Sequence, residues 1–254
     1  MTDPENEMDE RGLAGEVFSA MIDSRVGLHR EPVRDVTCND NVLYQQCAAA
    51  VSDSQGRPLN PALFMPALER MSLIRLCDRY VVKQAIAALQ ASPTLRLGFG
   101  ISTQSAVADV VWKAIFHLLE ETPDVAERLV IEFPEPAWFD AHEQAQHFAY
   151  RLKQAGCKIA IDNFGIETAI GIRAPDIIKI DASFVAAARH GEKHVARLAR
   201  LVRLAAEQAD DVVIQGVDDP LDLLHVHECG TKWVQGQFVK APDALEWVAS
   251  NLQL

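Results

Sequence analysis

From about residue 61 onward the chain alternates between short apolar runs and longer segments with helical apolar spacing, a pattern few folds accept. The short runs are "LRLGFGIS", "RLVIEF", "CKIAIDNF", "DIIKID", "DVVIQGV" and "KWVQGQFV", and two more, "GLHREPVRDV" and "VLYQQCAAAV", precede them. All of them behave as buried strands. The segments between are "PALFMPALERMSLIRLCDRYVVKQAIAALQ", "SAVADVVWKAIFHLLEE", "AHEQAQHFAYRLKQAG", "GEKHVARLARLVRLAAEQ" and "DPLDLLHVHECG". Such alternation implies parallel strands joined by crossover helices. About eight strands within 254 residues predict an α/β fold, a closed (β/α)8 barrel.

Residues 1–14 are charged and lack apolar periodicity, so a disordered acidic tail is expected there, with helix beginning near Leu13 and one barrel domain over 15–254. No apolar run reaches membrane-spanning length and the N-terminus "MTDPENEMDE" is polar, which argues against a signal peptide or span and points to the cytoplasm. The five cysteines are scattered, without a Cys-x-x-Cys pair, so neither a zinc site nor a disulfide framework is expected. A formal net charge of −12 disfavours nucleic acid and anionic membranes as direct partners.

Active sites of such barrels lie at the C-terminal ends of the strands. The polar residues there are Gln45 or Gln46, Gly100, Glu132 with Glu135, Asp162 with Asn163, Lys179 with Asp181, Gln215 with Asp218, and Gln235. Any one of them is as readily a turn former or helix cap. Six strands closing this way, with a lysine among the acids, point instead to a site.

Several of these segments resemble the EAL domain family, cyclic-di-GMP phosphodiesterases on a modified barrel of this type. "PDIIKIDASFV" is similar to the family's Lys-Ile-Asp-x-Ser-Phe-Val strand and "IDNFGIE" to its Asp-Asp-Phe-Gly-Thr-Gly segment. "LVIEFPEP" resembles its Glu-Ile-Thr-Glu strand, and "VVIQGVDDPLDLLHVHECGTKWVQGQFVKAP" its Glu-Gly-Val-Glu run ending in Val-Gln-Gly.

The departures bear on chemistry. The signature Glu-Ala-Leu falls on "YQQCAAAV", so Gln45 or Gln46 stands for the glutamate, and the phosphate-facing arginine falls in Ala48 to Ala50. The family's metal-ligating Asn falls on Gly100, its second Asp on Asn163, and the acids of Glu-Gly-Val-Glu on Gln215 and Asp218. Glu132, Glu135, Asp162, Lys179, Asp181 and Gln235 keep the family's types. Glu31 replaces a first-strand Gln, placing an anion where phosphates would approach, and the loop "GIETAIGIRAPD" is shortened.

Hydrolysis in the family resembles two-metal catalysis, and hard cations need several anionic oxygens. Glu132 and Asp162 would hold at most one cation weakly, with Lys179 as their counter-ion. The resemblance therefore implies a vestigial site: no catalytic residue, no cofactor, and magnesium or manganese only if residual activity persists. Three readings follow, in order: an inactive domain regulating another protein by contact, in motility, biofilm or transcriptional control; a non-hydrolysing receptor, although binding of cyclic di-GMP is disfavoured; and a weak phosphodiesterase. A monomer and a homodimer both stay open. Arg197, Arg200 and Arg203 form a basic stripe on "EKHVARLARLVRLAAE". It reads first as a solvated outer face, with docking to an acidic partner as the alternative.

Overall fold

The structure, a computed structural model, describes residues 9–135, 142–165 and 174–240. Eight strands close into one barrel in sequence order: β1 (Val26–Asp35), β2 (Cys38–Val51), β3 (Leu97–Gly100), β4 (Leu129–Pro134), β5 (Lys158–Phe164), β6 (Ile177–Ile180), β7 (Asp211–Ile214) and β8 (Trp233–Val234). Strands β2 to β8 run parallel, whereas β1 is antiparallel to both its neighbours, β2 and β8. The predicted barrel is thus present with its first strand reversed. A short turn makes the reversal: the Asp35 carboxylate accepts from the Thr37 N–H at 2.9 Å, its hydroxyl at 2.8 Å and the Asn41 amide at 2.8 Å. A turn of that length permits only antiparallel pairing.

The connections are α2 (Pro61–Arg70), α3 (Ile74–Ala91), α4 (Val110–Glu121), α5 (Pro123–Ala126), α6 (His142–Gln154), α7 (Ala182–Ala188), α8 (Glu192–Ala206) and α9 (Asp222–Cys229). The long segment from Pro61 is two helices rather than one, broken where Ser72 adopts a left-handed φ of 57°.

Helix α1 (Glu10–Ile22) corrects the expected tail, since residues 10–14 are helical. Asp9 caps it, accepting from the Gly12 N–H at 2.8 Å, and Glu10 pairs with Arg70 of α2 at 2.7 Å. Leu13, Ala14 and Val17 then bury, so packing outweighs the charged composition. Residues 1–8, the remainder of the expected tail, lie outside the described residues, as does 166–173, most of the shortened loop, and the C-terminal stretch 241–254. No helix among the described residues is long and apolar enough to cross a membrane.

Strand alternation divides the core in two. Outward residues such as Leu129, Ile131, Ile159, Ile161, Ile178 and Ile214 pack under the helices. Inward residues, among them Val33, Tyr44, Val130, Ala160, Ile177, Val213 and Trp233, fill the barrel.

One buried carboxyl belongs to this scaffold. Asp78 of α3, 4% exposed, accepts from the Ser102 N–H at 2.9 Å and the Ser105 hydroxyl at 2.5 Å, tying the segment after β3 to the helix layer. Burial, with a smaller push from Glu69, raises its pKa from 3.8 to about 6 in spite of those donors. Below pH 4 the carboxyl is neutral in both folded and unfolded chains and contributes nothing. As pH climbs from 4 to 6 the unfolded chain ionises more readily, so stability falls by about 3 kcal/mol and then levels. Asp78→Asn keeps an oxygen for both donors. It should match the parent near pH 4 and exceed it by about 2–3 kcal/mol at pH 7 in urea unfolding; a constant difference across that range would sink the argument.

Candidate functional site

Two residues farther along each strand from the apolar plug, the same inward face becomes polar. Tyr44 is followed by Gln46, Val130 by Glu132, Ala160 by Asp162, Ile177 by Lys179, Val213 by Gln215 and Trp233 by Gln235. The period of two that lays down the plug therefore lays down a polar layer above it, at the C-terminal mouth. Strand β3 supplies glycine at both levels. A Cβ on Gly98 would overlap the Tyr44 ring, and one on Gly100 would meet nothing within 4 Å. The ring of Tyr44 thus occupies space that β3 vacates.

Glu132 is the centre of the layer. It is fully buried, and both its oxygens are taken. The Tyr44 hydroxyl donates to Oε1 at 2.6 Å, while Gln46 Nε2 at 2.8 Å and Lys179 Nζ at 2.9 Å donate to Oε2. Gln235 Nε2 donates in turn to Gln46 Oε1. Lys179, also fully buried, lies 3.5 Å from Asp162 Oδ1 and so serves two carboxylates.

Burial pushes the Glu132 carboxyl upward and Asp162 adds to that, against the pull of Lys179. Burial opposes the charge on Lys179, but Glu132 and Asp162 overcome it and hold the ammonium above its ordinary range. Burial, then the adjacent Glu132, drives the Tyr44 phenol well above its usual value, which fixes it as a neutral donor. Charge-assisted bonds of this kind are the strong ones, and three of them hold the Glu132 carboxylate in one orientation.

Asn163 follows Asp162 with a φ of 59°, at the register irregularity between Ile161 and Phe164 in the pairing of β5 with β6. Asparagine tolerates the left-handed region better than most residues, so its presence has a backbone reason. Farther out, Asp218 Oδ1 accepts from the Gln237 N–H at 2.7 Å. Asp222 of α9 holds the loop carrying Asp218 by accepting from the N–H groups of Asp218 at 3.0 Å and Asp219 at 2.9 Å, and pairs with Arg189 at 2.6 Å.

The anion expected at Glu31 is present but not free. Lys240 Nζ donates to its Oε1 at 2.5 Å, and His29 stands 3.4 Å away. Burial pushes the Glu31 carboxyl upward, yet the Lys240 ammonium more than offsets it and the group lies below its ordinary value. The repulsion expected of Glu31 toward phosphate is correspondingly reduced. Between Glu31, Asn163, Gln215, Asp218 and Gln235 the mouth encloses about 280 Å³.

The remaining predicted positions are dispersed. Gln46 reaches Glu132, whereas Gln45, its neighbour on an alternating strand, lies on the opposite face. Gly100 lines a second cavity of about 220 Å³ against α2 and α3, shared with Gln46 and Asp78. Glu135, fully buried, accepts from the Gly165 N–H at 3.0 Å and ties the end of β4 to that of β5. Asp181 caps α7, accepting from the Ser183 N–H at 2.9 Å, and stands apart from the network. Arg197, Arg200 and Arg203 are all exposed along α8, and Arg197 lies over the Phe184 ring at 4.9 Å. Tyr44, Gln237 and Lys240 were not anticipated. Tyr44 was legible as the residue two before Gln46; Lys240 carried no signal, because its partner Glu31 is 209 positions away.

Divalent cations need several free anionic oxygens. Glu132 and Asp162, the carboxylates of the polar layer, instead share one lysine, and Glu132 has no oxygen without a donor. Among the described residues no three His, Cys, Asp or Glu side chains are grouped as metal ligands.

Residues 15–242 match the EAL domain family. An uncharacterised signalling protein of Caulobacter vibrioides is 24% identical over 239 residues, covering 92% of this chain and 29% of its own. The cyclic di-GMP phosphodiesterase NbdA of Pseudomonas aeruginosa is 23% identical over 242 residues, covering 92% of this chain and 31% of its own. The chain therefore spans about a third of the length of these curated relatives. The crystal structure of the Xanthomonas citri FimX EAL domain in complex with c-di-GMP superposes with a TM-score of 0.80 at 21% identity, covering 94% of this chain and 96% of that one. At such identity the likeness speaks to the fold.

Proposed function

This chain belongs to the EAL domain family, and we propose that it is a member that does not hydrolyse cyclic di-GMP and regulates another protein by contact, in the cytoplasm. The carrying observation is the state of Glu132. Three donors saturate its carboxylate, one of them a carboxamide, Gln46, on the strand where the family places its signature glutamate. With Gln215 and Asn163 also neutral, the polar layer lacks the anionic oxygens that a pair of magnesium or manganese ions requires. The family's metals do not fit, and no catalytic step is assigned to these residues. Lys179, Glu132 and Tyr44 act here as a structural network that keeps the barrel mouth in one shape. Named relatives are phosphodiesterases, so the proposal is that this member has kept the fold and given up the reaction.

A second reading, a receptor that holds cyclic di-GMP intact, draws support from the pairing of Glu31 with Lys240, which lowers the barrier to an approaching phosphate.

Calorimetric titration of the protein with cyclic di-GMP, with and without magnesium or manganese, followed by chromatography for linear product, separates the readings. The expected result is no product under any condition. Metal-dependent product would overturn the proposal, and heat without product would favour the receptor.

A further inference from the structure

We infer that the barrel mouth is a binding site for a small organic cation rich in N–H donors, of the guanidinium or alkylammonium class. The inference rests on the reading above, because it requires a mouth free of paired metal ions. The polar layer has a direction. Gln235 points its amide nitrogen down to Gln46, and Gln46 points its own down to Glu132. Both amide nitrogens are thus committed inward, Gln46 Oε1 is taken by Gln235, and the carbonyl oxygen of Gln235 is the one left over. Gln235 is 6% exposed and lines that cavity, and its Oε1 is buried without a partner. Gln215 Oε1, on the neighbouring strand and lining the same space, is buried without a partner as well. A buried acceptor left unpaired costs roughly 1–3 kcal/mol, so the cavity favours a guest that donates.

The charges agree with the acceptors. Glu31 and Asp218 are the charged residues lining the space, both acids, with no lysine or arginine lining it. Glu31 uses Oε1 for Lys240, and Asp218 uses Oδ1 for the Gln237 N–H, so each keeps its other oxygen free of bonds among the described residues. Carboxylate and carboxamide oxygens around one space match the forked N–H donors of a guanidinium. With Glu31 already paired to Lys240, the unpaired charge on the lining is the Asp218 carboxylate, which favours a cation over an anion. A cavity of about 280 Å³ is at the small end for ligand pockets, which selects a short alkyl chain bearing the cation.

The test is titration of agmatine into the full chain without divalent metal, beside the uncharged analogue pentylurea. The expected result is saturable binding of agmatine at least tenfold tighter than of the urea. Asp218→Asn, at an exposed position, and Gln235→Leu should each weaken it at least tenfold, with circular dichroism showing both variants folded. If Gln235→Leu does not fold, Asp218→Asn decides alone. Equal affinity for the two compounds, no binding, or full affinity in Asp218→Asn would overturn the inference while leaving the preceding proposal standing. Hydrolysis of cyclic di-GMP in a parallel sample would remove that proposal, and this inference with it.

Discussion

Lys179→Met is expected to lower folding stability by about 3–5 kcal/mol, the cost of leaving a buried acid without its counter-ion. Lys179 is fully buried, and it is the cation that Glu132 and Asp162 share, at 2.9 Å and 3.5 Å. Methionine fills much the same volume, so cavity formation contributes little and the loss reports charge. The effect should fall largely away in the double variant Lys179→Met, Glu132→Gln, because a neutral amide at 132 no longer needs an ammonium beside it. Buried ion pairs replaced as a unit are often close to neutral. Urea unfolding of the parent, both single variants and the double variant gives the coupling energy directly. A residue kept for catalysis alone would behave otherwise: Lys179→Met would then be neutral or stabilising and the cycle would show no coupling. That result would defeat the structural role assigned to the network.

How much of this was readable from the sequence depends on the range of each signal. Polar residues closing apolar strands are a local signal, so Glu132, Asp162, Lys179, Gln215, Gln235 and one of Gln45 or Gln46 are candidates from the sequence alone. The direction of β1 was not. Strand–helix alternation begins only after Pro61, and "GLHREPVRDV" reads the same in either orientation; the Asp35 turn decides it. Helix α7 is absent from the predicted helical segments, because seven small and apolar residues carry little helical periodicity. The cap formed by Asp181 on the Ser183 N–H was the deciding cue. That cap also explains why Asp181 belongs to the scaffold rather than to the network, although its position at a strand end made it a candidate. Which of Gln45 and Gln46 faces the barrel interior turns on strand phase, fixed by Tyr44 facing Glu132. The pairing of Glu31 with Lys240 was beyond reach, since only barrel closure brings β1 beside the end of β8.

Gln46→Glu tests the opposite substitution, placing at the inward-facing glutamine the acid that the resemblance assigns to Gln45 or Gln46. Gln46 Nε2 now donates to Glu132 at 2.8 Å. The new carboxylate would replace that donor with an acceptor, set a like charge against Glu132, and leave Lys179 to balance three acids. A loss of about 2–4 kcal/mol is expected at pH 8, from the broken bond together with the unpaired buried charge. The sign of its pH dependence follows from the environment. Burial and two neighbouring acids raise the folded-state pKa of the introduced carboxyl, so its penalty is absent below its unfolded pKa and grows as pH rises through the folded one. Unfolding midpoints of variant and parent should therefore converge toward pH 5, where the introduced group is protonated and can donate to Glu132 in place of the amide. Millimolar magnesium should leave the parent midpoint unmoved at either pH, and should recover little of the loss in the variant, because Asn163 and Gln215 still contribute no charge. A magnesium-dependent rise in the parent's midpoint would mean that Glu132 and Asp162 already release Lys179 in favour of a metal ion, and the proposed loss of the reaction would have to be abandoned.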